Sequence, residues 1–298
     1  MNKKLLFCGA AMAAALLIVS LVYARDATPK VSFLDVGQGD SALIRDGDRE
    51  MLIDGGPDRT ALARLGQTMP FFDRTIEYAV LTHAHADHLN GLMETLTRYR
   101  VLVLVVPPHA FSEPAGQKLL AAAVEAGTAV TVGDCGDRFA VGRGQVEILW
   151  PCTESLKVQK LISSKGHHRH GASADGVSDN ESDNGGLNNL SLIMRLTGAD
   201  RRPENGVLFM GDAEEAEAQD LMAAVADIRA KILKVSHHGS RNGTSTALLE
   251  RIRPMEAVIS VGRNNYGHPS PAVLTRLKRA GIRIWRTDQA ATVSFPLR

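Results

Sequence analysis

Six consecutive residues, His83-Ala84-His85-Ala86-Asp87-His88, place three imidazoles and one carboxylate on one short stretch. Neutral imidazole and carboxylate are the ligand types that suit zinc, and they also accept manganese. The stretch follows the apolar run Tyr78–Leu81, which has the make-up of a strand. A loop leaving that strand can aim His83 and His85 to one side, and Asp87 and His88 can then turn to a second ion nearby.

Two further segments carry ligand-type residues at the end of an apolar run. Gly211-Asp212 follows Val207–Met210, and His237-His238-Gly239-Ser240 follows Lys231–Val235. Taken alone, Asp212 could be a helix cap and the histidine pair a surface feature. Together the three clusters describe a centre for two divalent metal ions, Zn2+ first and Mn2+ second, in which Asp212 bridges. The metal-ligand set is His83, His85, Asp87, His88 and Asp212 with one of His237 and His238. His238 is preferred as the ligand, with His237 left open.

The six-residue stretch resembles the HxHxDH motif of the metallo-β-lactamase superfamily of metal-dependent hydrolases. Asp54, in Leu52-Ile53-Asp54-Gly55-Gly56, matches the early aspartate that orients the metal loop in that family. Five segments narrow the resemblance to one branch, the extracytoplasmic hydrolase domain of ComEC-type DNA-uptake proteins, thought to be a nuclease. They are Phe33-Leu34-Asp35-Val36-Gly37-Gln38-Gly39-Asp40-Ser41, Asn188-Asn189-Leu190-Ser191-Leu192, Gly211-Asp212-Ala213-Glu214, Lys234-Val235-Ser236-His237-His238-Gly239-Ser240 and Asn265-Tyr266-Gly267-His268-Pro269. Choline-phosphate esterases of the same branch look similar. The resemblance implies a four-layer αββα sandwich over residues 30–298. It also places the loop of Asp35, Gln38 and Asp40 near the metals, where these residues could orient ligands.

Two departures stand out. Asn188 and Asn189 occupy the place where many superfamily members carry another histidine ligand, which implies weaker or exchangeable binding at the first ion. ComEC-type proteins also carry a membrane channel, and no integral membrane channel is read in this chain, so it is not expected to transport DNA itself.

The reaction expected is hydrolysis of a phosphodiester by hydroxide held between two ions, whose charge lowers the pKa of water. Asp87 and Asp212 are the catalytic carboxylates. His268 could protonate the leaving oxygen or clamp phosphate, and Ser240, Asn264 and Asn265 could donate to phosphate. The partner is a phosphodiester substrate, with DNA one candidate; no protein partner is expected. A β-lactamase-like amidase, a choline-phosphate esterase and a non-catalytic exported zinc-binding module are the alternative readings.

These groups need rigid elements to hold them. Val31–Leu34, Ala42–Ile44, Met51–Ile53, Tyr78–Leu81, Val101–Val106, Val130–Val132 and Val146–Leu149 read as strands, and Leu89–Tyr99 and Gln117–Ala126 as helices. A Ser-, Gly-, Asp- and His-rich stretch, residues 163–186, contains His167, His168 and His170 and reads as a flexible insertion. A second half follows. Leu190–Leu196, Val207–Met210, Lys231–Val235, Ala257–Val261, Arg283–Trp285 and Thr292–Phe295 read as strands, with helices at Glu214–Val225, Thr246–Arg251 and Pro271–Ala280. Two such halves predict one α/β domain with helices outside two packed sheets.

At 298 residues with 44% hydrophobic and 22% charged residues, the composition is globular and excludes a disordered or fibrous chain. The net charge of +1 hides an asymmetry. Lys231 to Arg298 holds 12 basic and 3 acidic residues, a basic stretch suited to phosphates. Residues 1–24 combine Lys3 and Lys4 with the apolar run Leu5–Val22 and small or tolerated residues before position 25, the pattern of a secretory signal peptide. An extracytoplasmic (periplasmic or secreted) location follows, with a retained membrane anchor as the second reading. Cleavage there would leave Cys135 and Cys152, whose pairing the sequence leaves open.

Overall fold

The computed structural model describes residues 8, 9, 11–14, 28–152 and 190–297. The signal-peptide reading falls almost entirely outside these residues. So do the insertion 163–186, His167, His168 and His170, and the pair Asn188 and Asn189.

The first half opens with β1 (Lys30–Phe33), β2 (Ala42–Asp46) and β3 (Arg49–Ile53), an antiparallel run joined by tight turns. Helix α1 (Thr60–Thr68), β4 (Thr75–Val80), α2 (Ala86–Leu96), β5 (Arg100–Val106), α3 (Pro114–Glu125) and β6 (Ala129–Val132) then alternate, with β3 to β6 parallel. The second half repeats the plan. Antiparallel β7 (Arg138–Val141), β8 (Gly144–Trp150), β9 (Ile193–Thr197) and β10 (Val207–Phe209) lead into α4 (Glu215–Ala224), β11 (Ile232–Lys234), α5 (Thr246–Ile252), β12 (Glu256–Ile259), α6 (Pro271–Arg279) and β13 (Arg283–Arg286). Strands β10 to β13 are parallel. After the short α7 (Thr287–Ala290), β14 (Val293–Pro296) crosses back and pairs antiparallel with β1.

The strands form two seven-stranded sheets, ordered β14-β1-β2-β3-β4-β5-β6 and β13-β12-β11-β10-β9-β8-β7. Alternation along each strand separates the cores. Phe33, Ile44, Met51, Val80, Val105, Ile148, Phe209 and Val258 point between the sheets. Leu43, Leu52, Leu81 and Leu104 point outward beneath α1 to α3, and Leu208, Leu233, Ala257 and Ile259 do so beneath α4 to α6. The layers are therefore helix, sheet, sheet, helix, the expected αββα sandwich. Among the described residues no helix is long and apolar enough to cross a membrane.

The structure pairs the two cysteines. A disulfide joins Cys135, just after β6 of the first sheet, to Cys152, just after β8 of the second, with Cα atoms 4.8 Å apart. It clips the two sheets together at one side. Closing a loop of 17 residues restricts the unfolded chain by about 3 kcal/mol in the chain-entropy account.

Candidate metal centre

The centre lies where parallel strands of both sheets end. Strand β4 delivers Thr82 and His83, and α2 starts inside the histidine stretch, with His85 as its N-cap and Asp87 and His88 in its first turn. That helix can begin so close because the turn after β3 is made of glycines. Gly55 N–H donates to the His88 carbonyl at 2.7 Å and Gly91 N–H to the Gly56 carbonyl at 3.0 Å. A Cβ on Gly55 or Gly91 would collide with the backbone of the other segment.

Asp54 is the hub of this loop. Its Oδ1 accepts from the Thr82 amide and its Oδ2 from the Thr82 hydroxyl, both at 2.8 Å, while the same Oδ2 stands 2.8 Å from His88 Nδ1. With Nδ1 committed to Asp54, His88 Nε2 faces the centre, an arrangement that fixes the tautomer of a ligating histidine.

From the second sheet, Gly211 takes φ +53°, which turns the chain at the end of β10 and presents Asp212. After β11, His237 and His238 take φ 46° and 51°, a left-handed conformation uncommon for residues with a Cβ. Such strain held in place at a cluster of polar groups is typical of functional sites. His238 Nδ1 lies 3.0 Å from the Ser260 carbonyl and 3.3 Å from Asp40 Oδ1, which leaves Nε2 facing Asp87 Oδ2 at 3.0 Å.

Asp212, 2% exposed, is the meeting point. Its Oδ2 is 3.4 Å from His88 Nε2, 3.6 Å from His238 Nε2 and 3.7 Å from both His83 Nε2 and His237 Nε2. His83 Nε2 and His85 Nδ1 approach to 3.0 Å. Two ligand groups share this carboxylate: His83, His85 and Asp212, and Asp87, His88, Asp212 and His238. Within each, the ligand atoms lie within 4.8 Å of one another. Buried polar atoms are left without hydrogen-bond partners here, among them His85 Nε2, His88 Nε2 and Asp212 Oδ1. Orphaned buried polar atoms are costly, and convergent imidazole and carboxylate atoms are the donors a divalent transition ion takes. The residues fit two such ions. A third group, Asp40, Asp54 and His88, overlaps the second through His88; its Asp40 pairs with Lys234, and its Asp54 is held by Thr82 and His88.

The electrostatics agree. Burial disfavours charge on His88, but the carboxylates of Asp212, Asp54 and Asp87 outweigh it and raise the ring well above its usual value. Burial likewise opposes charge on Asp212, yet His88 and His238 hold it well below the usual carboxylate range. Negative potential at the centre thus favours a bound cation. Burial pushes His83 and His85 down, keeping their lone pairs free.

Asp40 is buried and supports His238, with Lys234 Nζ 2.7 Å from its Oδ2. Gln38 Oε1 accepts from Gly262 N–H at 3.3 Å, joining the first-sheet loop to the loop that carries His268. His268 faces His237, ring centroids 5.4 Å apart, and burial with the neighbouring His237 and His238 lowers it to about 4. Ser240 is buried just beyond the histidine pair and receives the Asn242 amide. Asn265 is exposed on the His268 loop. Asp35 does not join the ligand groups; its Oδ2 pairs with Arg64 of α1 at 3.0 Å and so braces the loop from outside.

Several contributors were not read from the sequence. Thr82, directly before the histidine stretch, completes the Asp54 hub. Lys234 neutralises Asp40. His109, two residues past Pro107 at the end of β5, has both ring nitrogens buried without partners, and burial together with the nearby His85 lowers it to about 4. Its signal was the same strand-end position that flagged the other histidines.

This architecture and its strand-end histidine and aspartate cluster define a metal-dependent hydrolase scaffold, and the chain belongs to the metallo-beta-lactamase superfamily, whose family model matches residues 34–185. It is similar to ComE operon protein 3 of Bacillus subtilis (strain 168), 30% identical over an alignment of 285 residues that covers 89% of this chain and 33% of that protein. It is also similar to competence protein ComA of Neisseria gonorrhoeae, 25% identical over 295 residues, 95% of this chain and 35% of that one. The chain therefore spans about a third of the length of these curated relatives. Among solved structures, the metallo-beta-lactamase fold protein YhfI from Bacillus subtilis superposes with a TM-score of 0.54 at 10% identity, covering 90% of this chain and 99% of that one. That likeness shows the fold.

Proposed function

We propose that the chain is an exported, metal-dependent phosphodiesterase that acts on nucleic acid. The observation that carries this reading is the pair of ligand groups sharing buried Asp212. Similarity to competence protein ComA supports a nucleic-acid substrate, and the apolar run Leu5–Val22 supports export.

In this reading His83 and His85 would hold one ion and Asp87, His88 and His238 the other, with Asp212 available to both. Two divalent ions so held would supply Lewis acidity to the phosphoryl oxygens and lower the pKa of water at the centre. The protein's own work is to keep the donors in place. Asp54 fixes His88, Asp40 and the Ser260 carbonyl fix His238, and the left-handed turn at His237 and His238 brings both rings to Asp212. His237, 21% exposed at the rim, and His268 on its solvent side are placed to contact the phosphate or the leaving oxygen. Zn2+ is the preferred occupant, given four imidazoles in the set, and Mn2+ the alternative.

A substrate panel tests the reading: metal-replete protein on DNA, RNA, p-nitrophenyl phosphorylcholine and a β-lactam, each at rising salt. Nucleic-acid turnover with a KM that climbs steeply with salt is expected, because exposed basic residues between Lys231 and Arg298, such as Arg241, Arg253, Arg263 and Lys278, would exchange counterions with the phosphate backbone. Lactam hydrolysis without phosphodiester turnover, or a flat salt profile on DNA, would contradict it.

A further inference from the structure

Tyr266 stands beside the centre on a loop whose backbone is pinned, with its ring open to solvent. Its loop is pinned by a single side chain: Asn264 Oδ1 accepts from the amides of Tyr266 and His268, both at 3.1 Å, and Asn264 Nδ2 donates to the carbonyls of Gly262 and His268, both at 2.9 Å. Yet Tyr266 is 72% exposed. Three rings then run inward from solvent. Tyr266 lies 5.9 Å from His268 with a 34° tilt, His268 lies 5.4 Å from His237, and His237 Nε2 is 3.7 Å from Asp212. Two arginines, Arg241 and Arg263, are exposed on the loops that carry His238 and Tyr266.

We propose that Tyr266 is a stacking plate for a nucleobase next to the scissile phosphate, and that the substrate is single-stranded nucleic acid. The inference rests on the phosphodiesterase reading and names its substrate class. A rigid, open aromatic face binds a planar base whatever its sequence, and its ordering cost is already met by the pinned loop. A quaternary ammonium group would instead need a cage of several aromatic faces. Tyr266 has only His268 as a ring neighbour among the described residues, and the two arginines would repel such a cation. Paired bases are stacked on each other and cannot reach the plate, so an unpaired strand is required.

The test uses full-length, metal-loaded protein on a single-stranded oligonucleotide and on the same oligonucleotide made abasic on both sides of the cleaved bond. Tyr266→Ala should raise KM on the first about tenfold with kcat little changed. Tyr266→Trp should restore it. On the abasic substrate, wild type and Tyr266→Ala should be equal. Phe71→Ala removes another exposed aromatic, in the loop leading into β4, at the opposite end of that strand from the histidines, and should change neither. Wild-type cleavage with no KM effect of Tyr266→Ala, or the same effect on the abasic strand, would overturn the stacking plate alone. No wild-type cleavage of any oligonucleotide would remove the nucleic-acid reading and the plate with it.

Discussion

Asp212→Ala should bring turnover to background and strip metal from both ligand groups. One carboxylate oxygen stands within 3.4 to 3.7 Å of nitrogens on His83, His88, His237 and His238, and both groups count Asp212 as a member. No other residue belongs to both. Removing a group that merely orients a ligand typically costs about 10–100-fold in affinity or activity, and loss of the shared ligand should exceed that range. His88 and His238 would also lose the carboxylate that most strongly draws positive charge onto them. Metal content by mass spectrometry and kcat on a phosphodiester are the readouts, with circular dichroism to show that the fold persists. Full activity in this variant would contradict the assignment of Asp212.

Lys234→Met should destabilise the protein by about 3–5 kcal/mol, the usual cost of breaking a buried ion pair on one side. Lys234 and Asp40 are 4% and 7% exposed and 2.7 Å apart, and Lys234 also donates to the Val235 carbonyl at 2.9 Å. Burial opposes the Asp40 charge, and Lys234 is the largest influence that offsets it. Without the lysine the carboxylate is left charged in a dry site, with His238 as its remaining partner. The double variant Lys234→Met, Asp40→Asn should recover a large part of the loss, because no buried charge is stranded. Urea unfolding of the three proteins measures this. A single variant within about 0.5 kcal/mol of wild type would show that the pair carries little of the stability.

How much of this was legible in the sequence follows from how local each signal is. The histidine stretch was readable because its ligand types crowd into six residues after a strand, and Asp54 through its match to the early aspartate of the metallo-β-lactamase superfamily. The parallel strands and α2 to α6 were readable from apolar periodicity, with ends displaced by a few residues, whereas α1 and the short α7 were not. Helix α2 starts at Ala86 instead of Leu89, since its first turn is built from the ligands themselves. Strand β7 was missed because Arg-Phe-Ala-Val between turns is too short to show a period. The return of β14 to β1, the Lys234–Asp40 pair and the Cys135–Cys152 bond were not legible, for each joins residues that only the finished fold brings together. Asp35 illustrates the converse. Its neighbours Gln38 and Asp40 do brace the centre, while its own carboxylate is held by Arg64, a partner on α1 that no local pattern announces.

On the proposed function, two ions in the Asp212-sharing groups enable phosphodiester hydrolysis. This is tested most directly by stripping the protein with a chelator and titrating Zn2+ or Mn2+ back while following bis(p-nitrophenyl) phosphate turnover. Activity absent in the stripped protein, and restored to a plateau at two equivalents of metal per chain, is the predicted result. Turnover that survives chelation, or metal uptake that restores no phosphodiester hydrolysis, would contradict it.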